Sequence, residues 1–353
     1  MLDYDGHGYA LMTNILIIKL SAIGDVVQAL PALEAIKRTF PASSITWVVE
    51  EAAASILEGH PLIDTVLISG RRSWLRMLGH RATFLEGFRK IAAFLRTLRA
   101  TKYDIAIDLQ GLFKSGVLVG LAHADRKIGF AGSRELSSLF LNERLPAYDR
   151  EKHALERYLD VARYLGAREV SSSCTLPIER ERPVMRQRLS DAGLKRRPLI
   201  IMNPVARWDT KLWPERNFAA LADRLITEKQ ATIIFTGSRS DHDIVSRILG
   251  MMKQHAENWA GETTLKELAA LASLADLFVT TDTGPMHLAA AAHAKVLALF
   301  GPTAPWWTGP YGPLHVVVRA GLDCSPCFKR KCNDETRCME MISVDDVMRK
   351  VLL

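Results

Sequence analysis

Short apolar runs alternate with segments of helical periodicity along this chain, and the alternation occurs in two blocks. The first block begins at residues 14–20 (NILIIKL) and the second at residues 198–202 (PLIIM). Strands that alternate with helices form parallel sheets, so the sequence predicts an α/β protein with two doubly wound domains. The predicted strands are 14–20, 45–49, 64–68, 104–108, 198–202, 231–236, 276–281 and 295–300.

The predicted helices follow these strands, and a charged stretch near residues 179–197 separates the two blocks. In the first helix Pro31 is expected near the start, where a missing N–H costs least. The length of 353 residues suits two domains of ordinary size, which we place at 1–185 and 186–353. Two doubly wound domains would place a ligand cleft at the carboxyl ends of both sheets. The remaining predicted helices are 84–99, 215–229, 240–253, 264–274 and 284–294.

The charge balance indicates an anionic partner. The chain has 46 Lys and Arg against 39 Asp and Glu, a net charge of +7. Such an excess suits phosphate, sugar acids, nucleic acid or an anionic membrane surface, although a merely soluble basic protein also explains it. No apolar run reaches the roughly 18 residues that a membrane span needs, and residues 1–14 lack the layout of a signal peptide. We therefore expect a cytoplasmic protein.

Two polar segments of the first domain follow predicted strands. Residues 19–25 (KLSAIGD) combine a strand end, a Gly-containing turn and a helix start, which favours anion binding. Asp25 there is either a helix cap or a general base that deprotonates a hydroxyl group. In residues 108–116 (DLQGLFKSG), Gly111 permits a tight turn and Lys114 can meet an anion, unless the segment is a plain strand-to-helix turn.

The second domain repeats this arrangement. In residues 203–214, Arg207 and Lys211 lie on a loop that enters a helix, where they are well placed to bind a diphosphate. Residues 280–287 (TTDTGPMH) again join a strand to a helix, and their backbone N–H groups can hold a phosphate. The single helical histidine, His287, is more typical of a packed structural residue.

Four cysteines lie close together in the sequence near the C-terminus, with the spacing C-x2-C-x4-C-x5-C. Four thiols at such spacing can bind a structural zinc ion or an iron–sulfur cluster, or they can remain reduced or form disulfides. We expect no catalytic role for them. Cys174 stands apart and is expected to be a packed free thiol. The four clustered residues are Cys324, Cys327, Cys332 and Cys338.

Taken together, these motifs resemble the lipopolysaccharide heptosyltransferase family, which are inverting glycosyltransferases of GT-B fold. The resemblance covers residues 14–353 and implies two Rossmann-like domains with a cleft between them. The segments WVVEE (47–51) and SRELSSLFLNE (133–143) are most similar to heptosyltransferase I, which adds the first heptose to Kdo. The family's order and spacing hold for KLSAIGDVVQALPAL (19–33), DLQGLFKS (108–115), TKLWP (210–214), TDTGPMHLAAA (281–291) and FGPT (300–303).

The resemblance assigns a role to individual residues. It implies that Asp25 is the catalytic base, that Lys211 meets the donor diphosphate, and that Asp282 contacts the donor sugar. Ser238 or Asp241 would replace the family's adenosine-contacting acid. The other implied donor-site residues are Thr210, Thr283, Gly284 and His287, and the implied cleft and acceptor-side residues are Lys19, Ser21, Gly24, Gly111 and Lys114.

The implied reaction transfers L-glycero-D-manno-heptose from ADP-heptose to the Kdo of Kdo-lipid A, with inversion at the anomeric carbon. Lys211 and helix N-terminal amides can stabilise the leaving diphosphate, and no DxD-like pair is placed to hold a divalent ion. We therefore predict metal-independent transfer that needs no cofactor.

The acceptor would be anionic and anchored in a membrane. The basic helix 84–99 either rests on the anionic inner leaflet of the inner membrane or presents a solvated face. The enzyme would then be cytoplasmic with transient contact to the membrane surface. Four basic residues of the first domain can receive the acceptor: Arg71, Arg72, Lys114 and Arg134.

Three alternatives remain open at this level. Heptosyltransferase II, or another family member, would use the same donor on a heptosylated core. A nucleotide-sugar epimerase of GT-B shape would leave segment 108–115 unexplained. A nonenzymatic nucleotide or nucleic-acid binder would show salt-sensitive binding and no turnover. Asp25, Lys211 and Asp282 argue against that binder, so we expect no nucleic-acid partner.

Overall fold

The computed structural model describes residues 13–133, 135–194, 198–332 and 337–351. The chain divides into two compact units, Met1–Cys174 and Thr175–Leu353. This boundary lies eleven residues before the predicted one at 185, because the helix Glu181–Asp191 packs against the helix Leu265–Leu274 of the second unit. The stretch predicted as a linker therefore contains a helix.

The first unit alternates strands and helices as predicted. It adds two strands and four helices that the sequence pattern did not indicate. Its strands are β1 (Asn14–Ile18), β2 (Ser44–Glu50), β3 (Thr65–Ser69), β4 (Tyr103–Asp108), β5 (Ala124–Phe130) and β6 (Glu143–Leu145). Its helices are α1 (Ile23–Thr39), α2 (Glu51–Leu57), α3 (Arg71–Leu78), α4 (Phe84–Ala100), α5 (Phe113–Leu121) and α6 (Ala154–Tyr164), with a 3₁₀ turn at Ser137–Phe140.

The second unit repeats the pattern, and each strand and helix predicted for it is present. Its strands are β7 (Leu199–Asn203), β8 (Thr232–Phe235), β9 (Glu257–Asn258), β10 (Leu277–Thr281), β11 (Val296–Phe300) and β12 (Val316–Arg319). Its helices are α7 (Glu181–Asp191), α8 (Glu215–Lys229), α9 (His242–Met251), α10 (Leu265–Leu274), α11 (Gly284–Ala291), α12 (Pro305–Thr308) and α13 (Val344–Met348), with 3₁₀ turns at Asp209–Lys211 and Arg239–Asp241.

Both sheets are parallel and have the same winding order. The first runs β3-β2-β1-β4-β5-β6, and the second, read from β9, runs β9-β8-β7-β10-β11-β12. The chain reverses its direction of winding between β1 and β4, and again between β7 and β10. Doubly wound sheets bind ligands beyond the carboxyl ends of the strands at these switch points. The structure confirms the predicted α/β class and its two Rossmann-like units.

The central strands are apolar because helices cover the sheets. In β1 the residues from Ile15 to Ile18 have no solvent exposure, as expected for a buried parallel strand. The prediction for Pro31 was wrong. Helix α1 begins at Ile23, so Pro31 lies in its interior, where the proline ring removes one hydrogen bond. Among the described residues, no helix is long and apolar enough to cross a membrane.

Candidate functional site

The first switch point presents an accessible carboxylate beside a buried cation. Asp25 lies in the first turn of α1 and accepts a hydrogen bond from the Ala22 amide at 3.1 Å. Its carboxylate is 3.9 Å from the Lys19 Nζ atom, and the Asp25 side chain is 40% exposed whereas that of Lys19 is 3% exposed. The exposed side of the Asp25 carboxylate can therefore contact a substrate hydroxyl, while Lys19 contacts the carboxylate from its buried side.

The environment of Lys19 keeps this side chain charged. Its Nζ atom lies over the Tyr158 ring, 4.8 Å from the centroid. Burial acts to lower the pKa of Lys19, but Tyr158 and then Asp25 outweigh burial, so the pKa is raised above its ordinary value. Burial raises the pKa of the Tyr158 hydroxyl. Lys19 therefore places a fixed positive charge behind Asp25.

The loop after β4 is built around a buried aspartate. The Asp108 carboxylate accepts hydrogen bonds from the Gln110 and Gly111 amides, both at 2.9 Å, and from the Ser115 hydroxyl at 3.1 Å. Burial raises the pKa of Asp108, and these hydrogen bonds oppose the rise. Gly111 has φ of +65°, a conformation that favours glycine. The predicted tight turn is present, and Asp108 holds it.

Gln110 joins this loop to the loop after β1. Its side-chain oxygen accepts hydrogen bonds from the amides of Leu20 and Ser21, at 3.1 and 3.0 Å. Lys114 donates to the Ser21 hydroxyl at 3.1 Å. The two predicted segments of the first unit therefore form one site, and Gly24 lies buried in the first turn of α1 within it.

A cluster of basic side chains extends from this site to β2. The Glu50 carboxylate, which is buried, accepts a hydrogen bond from Lys114 Nζ at 2.9 Å. The Nε atoms of Arg71 and Arg72 lie 3.5 and 3.4 Å from the same carboxylate. Three cations share one anion, so the cluster is positive and suits an anionic ligand. Arg134, the fourth predicted basic residue, lies outside the described residues.

The second switch point contains an ion pair. Lys211, in the 3₁₀ turn after β7, donates to the Asp282 carboxylate at 2.5 Å. Thr303, after β11, donates to the same carboxylate oxygen at 2.6 Å. Asp282 is buried, and Lys211 also lies 4.6 Å from the centroid of the Trp208 ring. Residues from three strand ends therefore fix the position of one ammonium group.

Helix α11 begins two residues after Asp282, at Gly284. Thr283 is the residue before the helix, its backbone is extended, and its side chain makes no capping hydrogen bond. Gly284 and Pro285 form the start of the helix, and half-buried His287 follows one turn later. Backbone amides at the start of a helix favour an anion, and the predicted phosphate site at this end stays a prediction.

Two predicted nucleotide-side contacts have other partners in the structure. The Thr210 hydroxyl donates to the Lys329 carbonyl at 2.9 Å, so it supports the loop. Asp241 accepts from the Ser238 amide at 2.7 Å and from its hydroxyl at 2.5 Å, which closes the 3₁₀ turn before α9. A cavity of about 530 Å³ lies nearby, and Thr210 alone among the predicted donor residues lines it.

Three of the four C-terminal cysteines lie close enough to the fourth, Cys338, to affect the pKa of its thiol. Burial raises the pKa of the Cys338 thiol, and the nearby Cys327, Cys324 and Cys332 raise it further. Within the described ranges no three His, Cys, Asp or Glu side chains form a group that could hold a metal ion, so the metal remains a prediction from the sequence. Cys174 is a buried free thiol, as predicted, and burial raises its pKa to about 12.

Sequence reasoning missed four residues that hold site side chains in place: Glu50, Gln110, Tyr158 and Thr303. Glu50 and Thr303 had a usable signal, because Glu50 is the last residue of buried strand β2 and Thr303 lies in the loop three residues after buried strand β11. Gln110 lies inside a segment that was singled out, but its role depends on the neighbouring loop. Tyr158 had no signal, because the packing of α6 against α1 cannot be deduced from local pattern.

Comparison with known proteins agrees with this geometry. Residues 91–337 match the model of glycosyltransferase family 9 (heptosyltransferase). Lipopolysaccharide heptosyltransferase 1 of Pseudomonas aeruginosa is 32% identical over 90% of this chain and 87% of its own length. Lipopolysaccharide heptosyltransferase 2 of Salmonella typhimurium is 29% identical over 87% and 88%. The solved structure of Escherichia coli heptosyltransferase WaaC with ADP is 26% identical, with a TM-score of 0.76 over 96% of this chain and 98% of that one.

These matches define a glycosyltransferase of GT-B fold. The chain belongs to glycosyltransferase family 9, the heptosyltransferases, and it is a heptosyltransferase of lipopolysaccharide core biosynthesis. Relatives named heptosyltransferase 1 and relatives named heptosyltransferase 2 have similar identities to this chain, so similarity alone does not decide between the two types.

Proposed function

We propose that this enzyme transfers L-glycero-D-manno-heptose from ADP-heptose to the Kdo of Kdo-lipid A, with inversion and without a metal ion. The observation that carries the proposal is that each switch point holds an acid–lysine pair. The first unit offers the accessible carboxylate of Asp25, and the second offers the fixed ammonium group of Lys211. The first group suits removal of a proton from an acceptor, and the second suits stabilisation of a leaving diphosphate.

Bond formation begins with the acceptor. A Kdo hydroxyl oxygen attacks the anomeric carbon of heptose, and its proton passes to Asp25. Lys19 supports this role, because its charge lies 3.9 Å behind the carboxylate and leaves the exposed side of Asp25 free for the hydroxyl. Since the nucleophile enters opposite the leaving group, the anomeric configuration inverts.

The bond between the anomeric carbon and the diphosphate oxygen breaks in the same step. ADP leaves with the electron pair, and Lys211 and the amides at the start of α11 stabilise the added negative charge. Asp282 and Thr303 hold Lys211 in place before the substrate arrives, so little reorganisation is needed during the reaction. This supply of positive charge is the reason we propose that transfer needs no divalent ion. Binding of ADP by the related WaaC supports the choice of nucleotide.

The basic cluster around Glu50 is proposed to bind the acid groups of the acceptor. Kdo and lipid A carry carboxylates and phosphates, and the cluster offers Arg71, Arg72 and Lys114 to such groups. Lys114 also contacts Ser21, four residues before the proposed base, so an anion bound here would lie close to Asp25. The lipid anchor of this acceptor would bring the enzyme to the cytoplasmic face of the inner membrane.

A direct test measures ADP release from ADP-heptose with two acceptors, Kdo-lipid A and the same molecule already carrying one heptose, each with and without EDTA. We expect release with Kdo-lipid A, unchanged by EDTA. Release only with the heptosylated acceptor would assign the enzyme to heptosyltransferase 2, the alternative supported by 29% identity to that relative. Loss of release in EDTA, restored by a divalent ion, would contradict the metal-independent step.

A further inference from the structure

A two-helix hairpin in the first unit presents aromatic and basic side chains together on one surface. Helices α3 and α4 pack against each other, with the Trp74 and Phe94 rings 5.2 Å apart between them. Gly87 is buried where the helices cross, and a Cβ atom added there would lie 2.9 Å from Met77 Cβ. Because the two helices pack this closely, the side chains between them form a fixed inner face, and the side chains on the opposite side of each helix form the outer face.

The outer face exposes large apolar side chains. Leu85 is 68% exposed and Phe88 60% exposed, and Phe84 and Leu75 are also exposed. Phe84 and Phe88 are four residues apart in α4, so they lie on the same face of the helix. Isolated exposed apolar residues are common, but four on one short hairpin form a patch that indicates an interaction surface.

The same hairpin holds the charge excess of the chain. Residues 71–100 contain eight of the 46 Lys and Arg and one of the 39 Asp and Glu. The remaining 38 basic and 38 acidic residues balance, so the net charge of +7 resides in this one segment. Arg89 follows Leu85 by four residues, and Arg96 and Arg99 continue the same side of α4. Basic residues therefore lie beside the apolar patch.

Charge decides which partner fits this surface. A second copy of the chain would bring two strongly positive faces together, which electrostatic repulsion opposes. An anionic bilayer attracts the arginines and accepts the aromatic and leucine side chains at the boundary between headgroups and acyl chains. We propose that the α3–α4 hairpin is a docking surface for an anionic lipid bilayer and lies in its interface.

This docking also fits the proposed acceptor site. Arg71 and Arg72, at the start of α3, contact Glu50 in the basic cluster, so the docking surface and that cluster are continuous. A bilayer bound to the hairpin would therefore deliver lipid-anchored sugars beside the cluster. The proposed binding to lipid does not depend on the proposed function, whereas faster use of a membrane-embedded acceptor rests on that function.

The test compares binding of the full-length protein to vesicles of phosphatidylethanolamine and phosphatidylglycerol with binding to neutral phosphatidylcholine vesicles, by co-sedimentation. The hairpin variant is Leu85→Ser/Arg89→Glu. The matched control is Val184→Ser/Arg186→Glu in α7, where both side chains are also exposed. We expect salt-sensitive binding to the anionic vesicles, a loss of at least about tenfold in the hairpin variant, and no change in the control.

Absence of binding to anionic vesicles, equal binding to neutral vesicles, or equal losses in the two variants would each overturn the proposal. Activity provides a separate measurement. With an acceptor embedded in vesicles we expect the hairpin variant to lose rate, while a deacylated, water-soluble acceptor is used at the wild-type rate. If no acceptor supports ADP release in any variant, the proposed function fails, yet the lipid-binding result still stands.

Discussion

The two switch points share a topology and differ in how the carboxylate is used. In the first unit Asp25 is 3.9 Å from its lysine and remains substantially exposed. In the second unit Asp282 is buried, accepts from Lys211 at 2.5 Å and accepts a further hydrogen bond from Thr303. One carboxylate is accessible to a substrate, and the other is occupied in holding a lysine.

This difference separates what the fold provides from what the residues provide. The winding order places a switch point at the ends of β1 and β4, and at the ends of β7 and β10, where doubly wound sheets bind ligands. The distance between acid and lysine then decides whether the site offers a proton acceptor or a fixed positive charge. The comparison predicts that equivalent substitutions in the two units will have different kinetic signatures.

The largest effect is expected from Asp25→Asn, which keeps the shape but removes the base. Turnover should fall by about 10²–10⁴-fold, as is typical for loss of a general base, while ADP binding is retained. Acceptor-dependent ADP release measures this. Asp104→Asn is the matched control, because Asp104 lies at the opposite end of β4 and binds the Asn14 amide. Equal losses in both variants would remove Asp25 from the mechanism.

Lys211→Met tests the second switch point, where the lysine and not the carboxylate is expected to act on the substrate. Loss of the ammonium group should lower turnover by about 10²–10³-fold and also weaken ADP binding, because the same charge meets the diphosphate in both states. Calorimetric titration with ADP and steady-state kinetics measure the two effects. The control is Lys229→Met at the end of α8. Wild-type ADP affinity in Lys211→Met would exclude Lys211 as the diphosphate ligand.

A smaller effect is expected from Glu50→Gln. Without the negative charge, Arg71, Arg72 and Lys114 lose their common partner and repel one another, so the proposed acceptor site is less well ordered. We expect KM for the acceptor to rise about tenfold, equivalent to about 1.4 kcal/mol, with kcat changed less. The neighbouring Glu51→Gln serves as the control. An unchanged KM would mean that the cluster does not bind the acceptor.

Metal binding at the C-terminal cysteines would affect stability and not catalysis. If the sequence prediction holds, protein purified without oxygen contains about one zinc or iron per chain or an iron–sulfur cluster, and Cys332→Ser loses it. Removal should lower the melting temperature, with kcat retained. Elemental analysis and thermal denaturation measure this. Metal-free protein with four titratable thiols in this segment would end the prediction.

The last prediction concerns stability and not catalysis, and it involves Cys174, the buried thiol of the first unit. Its pKa is raised from 9.0 to about 12, so the folded state holds a proton that the unfolded state releases above pH 9. Its stabilising contribution is full below pH 9 and falls between pH 9 and 12 at about 1.4 kcal/mol per pH unit. Denaturant unfolding of wild type and Cys174→Ala across this range should show converging free energies. A constant difference would contradict the raised pKa.

Local pattern located the candidate site because its residues lie where strands end. The apolar runs located β1, β4, β7 and β10, and the polar residues directly after them became the site. Pattern did not predict the strand order, and therefore it missed that Glu50 at the end of β2 reaches Lys114 after β4. Strand β5 was missed because charged residues interrupt its apolar positions, and β9 because it has two residues.

The central claim is that the first switch point supplies the base and the second holds the diphosphate. The most direct test measures ADP affinity and acceptor-dependent ADP release on the same preparations of wild type, Asp25→Asn and Lys211→Met. The account predicts that Asp25→Asn binds ADP with wild-type affinity but has an acceptor-dependent turnover at least about 100-fold lower. Lys211→Met is expected to lose both ADP affinity and turnover. Wild-type turnover in Asp25→Asn, or loss of ADP binding in that variant alone, would contradict it.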